Sequence, residues 1–243
     1  MFDLEGFERD GFTIVPGVVD RLAVGELLDA LSALVPGGAA LGRGGRVYAS
    51  RDLLGASPRV RALAASAATR TLVEPVLGPN AFAVRGLLFD KTPEANWMVP
   101  WHQDLTVAVK ARADAPGFGP WTVKTGVPHV QPPADVLGRM VSVRVHLDDC
   151  RAGCGPLRVV PGSHRQGRLN VEQTRAWLER VAPVACPVPQ GGALVMRPLI
   201  LHASSASDDP GHRRVIHLEY AADPLPSGVE WWESRPAREG LRS

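Results

Sequence analysis

The chain has 243 residues, 45% of them hydrophobic and 21% charged, enough apolar material for one large or two small packed domains. A net charge of +2, with the basic residues dispersed, argues against nucleic acid or an anionic membrane surface as a partner. The start, Met1-Phe2-Asp3-Leu4-Glu5, lacks a signal-peptide core, and no apolar stretch approaches the ~20 residues that span a bilayer, so a cytoplasmic protein is expected.

Glu5 to Gly11 reads as a short helix leading into a strand, Phe12-Thr13-Ile14-Val15-Pro16. From Val19 to Val35, Leu22, Val24, Leu27, Leu28, Leu31 and Leu34 recur at helical spacing, and Pro36-Gly37-Gly38 stops the pattern. A Gly/Arg-rich loop then runs to Arg46, and a second helical stretch is expected over Ser57–Val76. Leu77-Gly78-Pro79-Asn80 is a turn, after which the pattern becomes strand-like, first over Ala81–Phe89.

The segment Thr106–Val136 is rich in Pro and Gly and carries few regular signals, which suggests a lid or binding loop. Met140–Asp148 alternates, with Val141, Val143, Val145 and Leu147 on one face and Ser142, Arg144, His146 and Asp148 on the other. Short strands follow at Leu157–Val160 and Ala193–Met196. Arg213–Tyr220 alternates again, with Arg214, Ile216, Leu218 and Tyr220 opposed to Arg213, Val215, His217 and Glu219. Helices first, then short strands divided by Gly/Pro turns, predict a mainly β chain with flanking helices, a sandwich or jelly roll. With no linker and no repeat, residues 1–243 read as one domain: N-terminal helices over about 17–77, a core over about 81–222 and a tail over 223–243.

His102-Gln103-Asp104 carries the chemistry. On an extended strand residues i and i+2 point the same way, so one imidazole and one carboxylate converge while Gln103 points away. A further histidine, His202, follows the apolar run Leu199-Ile200-Leu201 and would complete a two-histidine, one-carboxylate triad, the ligand set of non-haem Fe(II) oxygen chemistry. Arg213 opens a strand whose polar face is costly to bury unless it lines a polar cavity, and a guanidinium there suits a carboxylate. Arg144 and His146 belong to a similar two-faced strand and can line the same cavity. Cys150, Cys154 and Cys186 are too few for a disulfide framework or a zinc site and read as ordinary thiols.

Several blocks carry a family resemblance: Phe7-Glu8-Arg9-Asp10-Gly11-Phe12, Phe89-Asp90-Lys91-Thr92-Pro93, Val99-Pro100-Trp101-His102-Gln103-Asp104, Leu147-Asp148-Asp149, Gly155-Pro156-Leu157-Arg158-Val159-Val160-Pro161-Gly162-Ser163-His164, and His202-Ala203-Ser204 with Arg213-Arg214. In this order they resemble the phytanoyl-CoA dioxygenase family over roughly residues 5–222. The resemblance implies a double-stranded β-helix (jelly-roll, cupin-like) fold, with Fe(II), 2-oxoglutarate and O2 as cofactor and co-substrates. It implies His102, Asp104 and His202 as iron ligands, and Arg213 with Ser204 at the distal carboxylate of 2-oxoglutarate. Arg144 lies where a second residue meets the co-substrate, a position that can be aromatic in relatives. Because Asp104 fills the carboxylate position, halide has no vacant ligand site, and hydroxylation of a small organic substrate is the implied reaction.

Trp101, Trp121, Lys91, His129 and Gln131 are further pocket candidates, joined by Trp97 and Arg85. Trp231-Trp232 in a polar tail can dock on the domain, cover the site or meet a second subunit. Two other readings stay open: a metal-dependent cupin-type isomerase or epimerase, and a non-catalytic jelly-roll module that binds a ligand. Sequence leaves substrate and oligomeric state undetermined.

Overall fold

The computed structural model describes residues 2–37, 40–43, 46–208 and 211–233. Gly38 and part of the Gly/Arg-rich loop lie outside the described residues, as does the end of the tail.

Two β-sheets face each other. The larger takes β1 (Phe12–Val15), β2 (Ala40–Arg43), β3 (Arg46–Ser50), β4 (Phe82–Lys91), β9 (Val141–His146), β12 (Ala193–Met196) and β14 (Arg213–Ala221), in the order β1-β12-β9-β14-β4-β3-β2. The smaller takes β5 (Val99–His102), β10 (Leu157–Val159), β11 (Val184–Cys186) and β13 (His202–Ser204), in the order β11-β10-β13-β5. Neighbours in both sheets pair antiparallel, and strands distant in sequence lie side by side. This is the expected double-stranded β-helix.

The helices α1 (Leu4–Asp10), α2 (Arg21–Ser32), α3 (Leu53–Ala56), α4 (Pro58–Ala65) and α5 (Ala67–Leu77) precede most of the sheet. Their apolar residues, including Phe7, Leu27, Leu53, Val60 and Leu72, form one buried cluster with Val143, Val145, Ile216, Leu218 and Tyr220 of the large sheet. The helices therefore cover one face of that sheet. The single helix expected over Ser57–Val76 is two, α4 and α5. Ser66 takes an extended conformation between them, and its hydroxyl accepts from the Thr69 N–H as the N-cap of α5.

Thr106–Val136 is not an irregular loop. It forms a three-stranded antiparallel sheet of β6 (Val107–Ala108), β7 (Trp121–Lys124) and β8 (Val127–Val130), followed by α6 (Ala134–Gly138). Val107, Val109 and Val130 join Trp231 in a second buried cluster at that end of the molecule. The tail docks there: Trp231 bridges to Val109, and the Trp232 N–H donates to the Ala108 carbonyl at 3.0 Å. The Trp232 indole N–H reaches Asp52 Oδ1 at 3.1 Å. A surface helix, α7 (Val171–Arg180), buries none of its residues. No helix among the described residues is long and apolar enough to cross a membrane.

Candidate metal centre

His102 ends β5 and His202 begins β13, and the two are register partners across the small sheet. Their rings lie with centroids 4.1 Å apart. Each imidazole is oriented by its own strand: His102 Nδ1 is 2.9 Å from the Pro100 carbonyl, and His202 Nδ1 is 2.9 Å from the Ile200 carbonyl. A carbonyl can only accept, so both Nδ1 atoms carry the proton and both Nε2 lone pairs are free.

Asp104 completes the set. Its Oδ1 is 3.7 Å from His102 Nε2 and its Oδ2 is 3.6 Å from His202 Nε2. One donor atom from each residue falls within 4.8 Å of the others, and this is the arrangement a single metal ion requires. Gln103, just past the end of β5, points away from the triad. Its side-chain amide donates to the carbonyls of Gly167 at 2.8 Å and Leu199 at 2.6 Å, and its oxygen accepts from the Leu169 N–H at 2.8 Å. Three bonds in a nearly buried setting fix the backbone between the two ligand positions.

Burial opposes ionisation of Asp104. The imidazoles of His202, His217 and His102, with the Arg144 guanidinium, outweigh it and hold the carboxyl down to about 2. Burial, offset in part by Asp104, pulls His202 down to about 4, so the ring is neutral at pH 7. A carboxylate and two imidazoles that present Nε2 fit a divalent iron.

A cavity of about 250 Å³ opens from this triad between the sheets. The large sheet supplies its charged wall. Arg213 faces Lys91 across the β14–β4 pair, His217 faces Arg144 across β14–β9, and Glu219 faces Arg85. Arg213 is buried, donates to the Gly155 carbonyl and has an unpartnered Nε. Gly155 sits at φ +60°, and a Cβ there would lie 2.5 Å from the Ser205 carbonyl oxygen, so only glycine brings its carbonyl to the guanidinium. Lys91 Nζ donates to Ser204 Oγ at 3.2 Å and to the Ser205 carbonyl at 2.5 Å, and burial followed by repulsion from Arg213 pulls it down to about 8. Arg144 Nη1 is 2.9 Å from His217 Nδ1, and its Nε has no partner. Three buried cations, none of them in an ion pair among the described residues, fit a dicarboxylate co-substrate.

Of the sequence candidates, His102, Asp104, His202, Ser204, Arg144 and Arg213 line this cavity together, with Trp97 and Arg85. Lys91 stands behind Ser204 rather than on the substrate side. Neither Lys91 nor four further pocket candidates line the cavity. Trp101 alternates with His102 on β5 and lies on the far face, under the Arg158 guanidinium at 5.4 Å. Trp121 packs against the second buried cluster. His129 is fully buried behind the wall, with Nδ1 2.9 Å from the Val127 carbonyl. Gln131 spends its main chain on Gly119 and Pro120. His146 is buried beside Arg144 and Arg213 without lining the cavity, and burial, with those two cations, takes it down to about 3. Arg214 turns to the other side and pairs with Asp148 at 2.6 Å. Arg51, Thr106 and Lys124 line the cavity and escaped the sequence reading, because no periodic pattern marks them.

Fold and donor set together define a class: jelly-roll enzymes built around a two-histidine, one-carboxylate metal site with an anion-binding wall. The chain belongs to the phytanoyl-CoA dioxygenase (PhyH) family, whose family model matches residues 7–215. By family and by donor set the protein is an iron- and 2-oxoglutarate-dependent oxygenase.

No curated protein gives a significant match. Among solved structures, EctD from S. alaskensis in its apo form superposes with a TM-score of 0.71 at 21% identity, covering 96% of this chain and 80% of that one. The non-heme alpha-ketoglutarate-dependent epimerase SnoN from nogalamycin biosynthesis gives 0.67 at 20% identity, covering 97% and 89%. AviO1 from Streptomyces viridochromogenes Tue57 gives 0.65 at 23% identity, covering 91% and 96%. EctD has also been solved with bound Fe, and with 2-oxoglutarate and 5-hydroxyectoine.

Proposed function

We propose that this chain, as a single catalytic domain, hydroxylates a small organic molecule, with His102, Asp104 and His202 holding Fe(II) and the Arg213 end of the cavity holding 2-oxoglutarate. The observation that carries the reading is the pairing of the triad with an adjacent wall of uncompensated cations in one cavity. When bound, the iron and 2-oxoglutarate supply the oxidising chemistry from O2, with succinate and CO2 as co-products.

The chain's own residues do the rest. Arg213, Lys91 and the Ser204 hydroxyl take the distal carboxylate of the co-substrate, and Arg144 adds a second cation near the metal. Lys91 thus serves the co-substrate rather than the substrate pocket. The Pro100 and Ile200 carbonyls keep the two imidazoles in the tautomer that ligates. Asp104, already ionised, needs no proton removed before it binds metal, and it fills the position that a halogenating site leaves open. In a cupin-type isomerase or epimerase that works without 2-oxoglutarate, Arg213 would bind substrate instead; the family match and the cluster of several cations beside the triad favour the oxygenase reading. Cytoplasmic placement belongs to the same reading, supported by three cysteines that form no disulfide.

The test is succinate formation from 2-oxoglutarate with Fe(II) and O2. It is expected to need the metal and to disappear in His102→Ala and Asp104→Ala. Turnover that persists in both variants, or that runs without 2-oxoglutarate, would overturn the assignment.

A further inference from the structure

The cavity has two positive ends, and the co-substrate uses only one. Along β14, Arg213 and Glu219 are six positions apart, about 20 Å at ~3.3 Å per residue. At the Glu219 end three cations line the wall: Arg85 from β4, Arg51 from the turn after β3, and Lys124 from β7. Among the described residues one carboxylate ion-pairs with them, and the field of Asp104 reaches Lys124 from the metal side. Glu219 Oε1 accepts from Arg85 Nη1 at 3.2 Å and also lies 3.6 Å from His217 Nε2.

Among the described residues the remaining donors make no ion pair. Arg85 is 6% exposed and its buried Nε has no partner. Lys124 Nζ donates to a neutral hydroxyl, Thr106 Oγ1, at 3.0 Å. Arg51 makes no ion pair among the described residues. The carboxylate next to it in sequence, Asp52, is engaged by the Trp232 indole. Burial lowers the Lys124 pKa, and repulsion from Arg85 and Arg51 lowers it further; Arg51 is lowered by burial and by Arg85. Three like charges held close in a half-dry space are a cost that an incoming anion removes.

We propose that the substrate carries an anionic group, a carboxylate or a phosphate, which Arg51, Lys124 and the free edge of Arg85 hold at the outer end of the cavity while the carbon to be oxidised lies toward Asp104. This rests on the oxygenase reading of the site. Arg51 and Lys124 are then specificity-determining residues, and uncharged analogues of the substrate are poor ones.

The experiment uses the full chain loaded with Mn(II) and saturated with 2-oxoglutarate, so that the Arg213 end is filled. Butyrate, inorganic phosphate and neutral butyramide are titrated in turn by calorimetry. At least one of the two anions is expected to bind, and which one distinguishes a carboxylate from a phosphate substrate. Butyramide is expected not to bind. Arg51→Gln and Lys124→Gln should each weaken the anion by about tenfold, as loss of a charge-assisted contact does, with 2-oxoglutarate affinity unchanged.

Thermal melts check that both variants fold, and should Arg51→Gln not fold, Lys124→Gln decides. Failure of both anions to bind overturns the proposal. So does binding of butyramide as tight as butyrate, or undiminished anion binding in the variants. Failure of the wild-type chain to bind 2-oxoglutarate at all would instead sink the oxygenase reading, and the proposal with it.

Discussion

On β14, Ile216, Leu218 and Tyr220 lie against the helices, while Arg213, His217 and Glu219 look into the cavity, and β9 repeats the division with Val143 and Val145 opposed to Arg144. The two faces share one backbone and one set of ladder hydrogen bonds, and both are almost wholly buried. They differ in what burial does. On the helix face it removes apolar surface from water and stabilises the fold. On the cavity face it strips water from charges, a cost that Glu219 and the backbone carbonyls offset only in part. The large sheet therefore holds its shape from one side and leaves the other free for recognition.

Substitutions on the two faces should separate stability from binding. Leu218→Ala, on the helix face, should cost about 2–5 kcal/mol in chemical denaturation and leave the 2-oxoglutarate Kd of the folded protein unchanged. Arg213→Ala, on the cavity face, should do the reverse. It removes about 1.5–3 kcal/mol of charge-assisted bonding to the co-substrate, roughly ten- to hundredfold in Kd, with little loss of stability. If Arg213→Ala also unfolds the protein, the division between the faces fails.

A pH series sharpens the comparison further. With Lys91 pulled down to about 8 in the free protein, a bound dianion must raise it again, so 2-oxoglutarate binding takes up a proton above that pH. Affinity should then fall as pH rises through about 8, by at most about tenfold per pH unit, and the slope should vanish in Lys91→Met. Calorimetry in two buffers of different ionisation enthalpy reads the proton directly. The smallest effect belongs to Tyr220→Phe, which loses a hydroxyl donating to the Ala64 carbonyl at 2.9 Å and should cost about 0.5–1.5 kcal/mol of stability and no affinity.

The same two faces explain what was legible in sequence. Alternation holds along β9 and, apart from Arg214 and Val215, along β14, so the strands, their core face and the cations Arg144 and Arg213 could be read from it. The triad was legible because His102 and Asp104 obey the period of two. What sequence hid lies where no period operates. The strands β6 to β8 are two to four residues long, too short to show alternation. The helix α7 buries none of its residues; its apolar positions, Val171, Trp177 and Leu178, are few, and its sharpest signal is the capping box between Asn170 and Gln173. Trp101 was misplaced for lack of phase: one step along β5 from a ligand is the opposite face. Arg51 and Lys124 come from a turn and a short edge strand, and only the fold brings them together.

Gly155 lends the Arg213 end of the cavity a hidden dependence. Its carbonyl receives the Arg213 guanidinium, and it offers that carbonyl only because it has no side chain to strike the Ser205 backbone. A designer grafting the arginine into another jelly roll would have to transplant this residue along with it, or the charge would settle at a different depth and grip the wrong length of diacid.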